Sequence, residues 1–97
     1  MTTLRIEHEV SDFDTWRAAF QRDPLQRKAS GVRSFVVQRP VGESDVVLID
    51  MVFDDVPSAE HMLERLREFW QTPAAAPAFA GSLRTRIVET AAAEHIA

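Results

Sequence analysis

The sequence predicts an α+β fold in which four strands form one antiparallel sheet and two helices cover one of its faces. Three observations carry this. Leu4, Ile6, His8 and Val10 alternate with Arg5, Glu7 and Glu9, the period of two of a strand with unlike faces. Immediately afterwards Phe13, Trp16 and Phe20 recur at three and four residues, the spacing of one helix face. The same strand-then-helix handover returns near residue 54, where the apolar run VVLIDMVF gives way to Ala59, Met62, Leu63, Leu66, Phe69 and Trp70 at helical spacing.

Taken in order, the first strand ends at a helix start in which Ser11 and Asp14 fit an S-x-x-D capping box. Asp12 and Asp14 favour the positive end of the helix dipole. Asp23-Pro24 repeats a cap-then-proline signature and predicts a short helical piece to Ser30-Gly31, with Gly31 as its left-handed stop. Val32 to Arg39 predicts a strand, Pro40 to Ser44 a hairpin connection, and Asp45 to Phe53 a second strand, apolar on both faces like an interior strand. Asp54 and Asp55 introduce the second long helix. Thr72-Pro73 again reads as a cap, but Pro77 limits Ala74 to Ala80 to a turn and a loop that Gly81 ends. Leu83, Thr85 and Ile87 alternate with Arg84 and Arg86 in a last strand to about Thr90. The order is β-α-β-β-α-β, that of the split βαβ, ferredoxin-like sandwich. Residues 1–90 are expected to form one domain and 91–97 a tail.

A net charge of -4 argues against nucleic acid, whose phosphates are met by concentrated Lys and Arg. With no cysteine the chain has no disulfide, thiol nucleophile or thiolate metal site. MTTLRIEHEV carries charges where a signal peptide needs an apolar core, and no window approaches a membrane span, so the expected compartment is the cytoplasm with no membrane partner. His8, His61 and His95 have no ligand spacing, so no metal is expected; no glycine-rich phosphate loop or nucleophile elbow is present.

Two helices leave one sheet face uncovered. On it Val46, Leu48 and Val52 would form a wet apolar patch, and a homodimer through that face is the expected solution. Arg5, Glu7 and Glu9 are expected beside Arg84 and Arg86 on the same face, as opposite charges that set register.

On the covered face, His8 is the candidate catalytic or ligand-orienting residue, since an imidazole moves a proton near neutral pH. The competing reading is a core histidine satisfied by backbone. His8, Trp16, Phe20, Phe35, Met51, Phe69 and Trp70 are the candidate lining of a pocket for a flat hydrophobic or aromatic molecule. Each aromatic has the alternative of being plain core.

The strand ending His8-x-Val10, then Asp12-Phe13-Asp14-x-Trp16, then Phe53-Asp54-Asp55 before the second helix, resemble small stand-alone proteins of the dimeric α+β barrel superfamily over roughly Leu4 to Thr90. That resemblance implies ferredoxin-like protomers whose sheets pack face to face, with pockets between sheet and helices. It also brings a range of activities: antibiotic-biosynthesis monooxygenases, haem-handling enzymes, muconolactone isomerases and polyketide cyclases, beside many members of no known activity. Relatives often have a charged helix where this chain has AAAPAFAG, so a less helical loop is expected as one wall of the pocket. Two functions remain: a dimer that binds a small hydrophobic or aromatic molecule without chemistry, and a cofactor-independent monooxygenase or cyclase/isomerase acting on a polyketide-like or aromatic substrate. No residue set decides between them.

Overall fold

In the computed structural model of the chain, which describes residues 1–73, 75 and 83–96, the elements are β1 (Thr2–Glu9), α1 (Phe13–Gln21), β2 (Ser34–Gln38), β3 (Val46–Phe53), α2 (Val56–Trp70) and β4 (Leu83–Glu89). The sheet is antiparallel with strand order β2-β3-β1-β4. This is the ferredoxin-like order, in which each helix returns the chain to a strand elsewhere in the sheet. The loop expected at Ala74 to Ala80 and its stop at Gly81 lie outside the described residues, except for Ala75, which is buried.

Register places Leu4 opposite Met51 and Ile87, Ile6 opposite Ile49 and Thr85, and His8 opposite Val47 and Leu83. These residues share the helix-covered face. Leu4, Ile6, Val47, Ile49, Met51 and Phe53 are buried there against Trp16, Ala59, Met62, Leu63 and Leu66 of the helices. No helix among the described residues is long and apolar enough to cross a membrane.

The first helix is capped one residue later than the spacing suggests. Asp12, not Ser11, is the N-cap: its backbone is extended, and Oδ2 accepts from Thr15 N–H at 2.9 Å and Thr15 Oγ1 at 2.8 Å. A carboxylate brings both a second acceptor and a full charge to the helix start, which a serine cannot. Those bonds, the hydroxyl's first, hold the Asp12 carboxyl below the ordinary carboxylate range. Asp55 does the same for α2, accepting from Ser58 N–H at 2.9 Å.

The helical piece expected from Asp23 to Ser30 is instead a succession of turns. Asp23 and Gln26 both occupy the left-handed region, at φ 52° and 50°, and each interrupts a right-handed helix. The segment is held both from within and from α2. Asp23 Oδ1 accepts from Arg27 N–H, the Leu25 carbonyl accepts from Ser30 Oγ at 2.7 Å and from Arg65 Nη2 of α2 at 3.4 Å, and Arg65 Nη1 also donates to Ser30. Gly31, at φ 93°, ends it as expected.

The charge ladder also differs from expectation. Glu7 does stand opposite Arg84, but Arg5 stands opposite Arg86, a like charge. Arg5 turns to the other neighbouring strand and meets Asp50, with Nε 3.0 Å from Oδ1 and Nη2 3.3 Å from Oδ2. A two-pronged contact to carboxylate offsets the adjacent cation.

Candidate functional site

The site begins with the alternation of β1. Because Leu4 and Ile6 face the helices, so does His8, and its side chain is only 4% exposed. Its Nδ1 lies 3.3 Å from the Glu9 carbonyl oxygen. In the neutral ring that bond places the proton on Nδ1 and the lone pair on Nε2, a tautomer suited to accepting a proton.

Across from it, α1 presents a ladder of rings. Trp16 lies 5.9 Å from the His8 ring, stacks on Phe20 at 4.9 Å and 21°, and meets Phe13 at 5.9 Å. The i, i+3, i+4 pattern of α1 makes these contacts possible, since such residues are vertical neighbours on a helix.

Between this ladder, the sheet and α2 is a cavity of about 90 Å3. His8, Trp16, Phe20, Met51, Phe69 and Trp70 all line it. Phe35 does not. It occupies the edge strand β2 and is 44% exposed, with its ring 5.2 Å from Phe20 in an edge-on contact. It borders a separate groove of about 340 Å3 between α1 and β2.

The cavity has residues that the sequence pattern did not single out. Ile6, Ile49, Met62 and Leu66 are core positions with space beside them. Asp23, Pro24, Leu25 and Arg27 come from the turn segment. Arg27 Nη1 donates to the Phe20 carbonyl at 2.9 Å and lies 3.4 Å from Asp23 Oδ1. Its guanidinium sits 4.0 Å over the Phe20 ring and 4.9 Å from that of Phe35. The Asp23-x-x-x-Arg27 spacing was the one available signal, and it reads equally as a helical surface pair.

Burial pushes the His8 imidazolium below its ordinary pKa of 6.5, partly offset by the bond to Glu9. The unfolded chain therefore binds more protons than the folded one between the two values. The stability from this group is complete above about pH 6.5 and is lost as pH falls through the folded value. An NMR titration of the His8 ring is expected to give a midpoint below 6.5. His8→Asn is expected to flatten the dependence of Tm on pH below about 6.5. A midpoint at or above the ordinary value would mean that water reaches the ring.

No protein-family model matches the sequence, and no curated protein matches it. Solved structures do. A dimeric ferredoxin-like protein from an uncultured marine organism aligns over 96% of this chain and 97% of its own, at TM-score 0.67 and 14% identity. An uncharacterized NIPSNAP domain protein from Burkholderia xenovorans aligns over 95% and 96%, at TM-score 0.63 and 19% identity. A protein from Nitrosomonas europaea, provisionally described as an antibiotic biosynthesis monooxygenase, aligns over 95% and 100%, at TM-score 0.62 and 12% identity. At these identities the likeness is one of architecture: by its strand order, helix placement and end-to-end alignment the chain has the ferredoxin-like fold that these proteins share.

Proposed function

We propose that the protein is a homodimer, joined through the helix-free face of its sheet, that binds a small hydrophobic or aromatic molecule between sheet and helices. The observation that carries the binding role is the position of His8: a buried, neutral imidazole beside Trp16 on the wall of an otherwise mostly apolar cavity. A few polar groups in a mostly apolar enclosure, here His8 with Asp23 and Arg27 at the turn segment, orient a ligand while burial of its carbon surface supplies affinity. A cavity of about 90 Å3 takes a ligand of few atoms, since an apolar cavity that holds benzene measures about 150 Å3. A larger ring enters by displacing a wall side chain such as Phe69 or Trp70, both only half-buried.

A second reading follows from the same imidazole. With its lone pair on Nε2, His8 can take a proton from an acidic C–H or O–H of a substrate held in the cavity, which is the step that a cofactor-independent monooxygenase or cyclase/isomerase needs from its protein. The similarity in fold to the Nitrosomonas europaea protein keeps that class in view.

Native mass spectrometry of the protein purified without added ligand, followed by ligand-observed NMR with benzene, indole and 2-naphthol, tests both. A retained small molecule, or binding of at least one probe that Leu66→Phe abolishes by filling the cavity, is the expected result. Failure of all three probes and no retained mass would remove the binding role. Turnover of any bound compound that His8→Ala abolishes with the fold intact would make the protein an enzyme.

A further inference from the structure

The groove between α1 and β2 differs from the cavity in both size and charge. It holds about 340 Å3, against about 90 Å3 for the cavity. Its walls carry four aromatic rings, those of Phe13, Trp16, Phe20 and Phe35, and two cations, Arg17 and Arg27, with no acidic residue among them. The cavity, by contrast, has Asp23 beside Arg27 and is balanced.

The two arginines are differently placed. Arg17 is exposed and makes no ion pair among the described residues. Arg27 is pinned: both polar contacts of its side chain leave from Nη1, to the Phe20 carbonyl and to Asp23. Nε and Nη2 therefore have no hydrogen-bond partner among the described residues. A guanidinium fixed over two phenyl rings holds its orientation before any ligand arrives, which lowers the ordering cost of binding.

We propose that this groove is a binding site for a planar aromatic carboxylate, its ring against Phe35 and Phe20 and its carboxylate received by Arg27 and Arg17. The ring meets the half-exposed Phe35, the charge meets Arg17 and the edge of Arg27 turned away from Asp23, whose contact is to Nη1, and the planar guanidinium fork matches a carboxylate. The groove is distinct from the cavity but adjoins it, Trp16, Phe20 and Arg27 forming a common wall.

Isothermal titration with 2-naphthoate and with its neutral isostere 2-naphthamide tests the assignment. The acid is expected to bind about tenfold more tightly than the amide, and Arg17→Gln or Phe35→Ala to weaken the acid several-fold. Both positions are exposed, so both variants are expected to fold. Leu66→Phe, which fills the cavity and does not border the groove, is expected to leave naphthoate affinity unchanged. Equal affinity for acid and amide, no binding of the acid, or loss of binding in Leu66→Phe with none in Arg17→Gln would each overturn the proposal. If the arginines serve only to cover ring faces, the charge of Arg17 will not matter to the acid.

Discussion

Phe53→Ala is expected to remove about 3–5 kcal/mol from the unfolding free energy, the range for deleting a buried aromatic ring. The side chain is 0% exposed. It ends β3 opposite Thr2 of β1, where the chain turns into the Asp55 cap of α2. Gly31 closes over the ring: a Cβ at Gly31 would lie 3.9 Å from Phe53 Cδ2. The ring thus joins the sheet, the start of α2 and the end of the turn segment, so deleting it leaves a void that three elements must collapse to fill. For a domain whose whole stability is roughly 5–15 kcal/mol, that approaches unfolding. At about 4–8 °C per kcal/mol, Tm falls by some tens of degrees. Urea denaturation followed by circular dichroism measures it, with Phe53→Leu as a milder control expected below about 2 kcal/mol. A loss under about 1 kcal/mol would show that this corner is loosely packed.

The elements that the sequence showed clearly are those whose order is periodic. β1, β3 and α2 each repeat an apolar pattern over two turns of helix or several strand residues, and tertiary structure only completes what the pattern dictates. The register follows too: Phe35 is opposite Met51, on the face that alternation assigns it. What alternation cannot show is where that face runs out. β2 is an edge strand, so Phe35 shares the helix side of the sheet yet remains half-exposed and borders the groove instead of the cavity.

The turn segment failed for a different reason. Asp23-Pro24 is a local signature, whereas residues 23–31 are set by their own turn bonds together with bonds from Arg65, 40 residues away from Leu25 in sequence. Local pattern and distant contact disagree there, and the distant contact wins. Because Arg27 belongs to that segment, its place over Phe20 was hidden as well. The cap shift from Ser11 to Asp12 is smaller: two adjacent residues can each accept the same kind of bond, and only the backbone conformation chooses.

Leu48→Asp is expected to turn a dimer into a monomer without unfolding it. On the helix-free face, Val46, Leu48 and Val52 run along β3, an interior strand, with Val36 beside them on β2 at 52% exposure and Val88 across the sheet on β4. Polar groups break up the patch: Arg5 meets Asp50, and Glu7 faces Arg84. In a lone protomer an aspartate at 48 would be hydrated and would only add mild repulsion to Glu7, its register neighbour. In a face-to-face dimer the same carboxylate would be buried near like charge and against apolar surface, which costs about 3–5 kcal/mol and weakens association at least a hundredfold. The two situations predict opposite results, so the variant locates the interface. Light scattering on the eluting protein is expected to give a dimer for the native sequence and a monomer for Leu48→Asp, with unchanged circular dichroism. Ala18→Asp, at an exposed position of α1, is expected to leave the dimer intact. A native monomer would mean that the patch is tolerated wet. A Leu48→Asp dimer would move the interface to the edges, where β2 and β4 are the outer strands of the sheet.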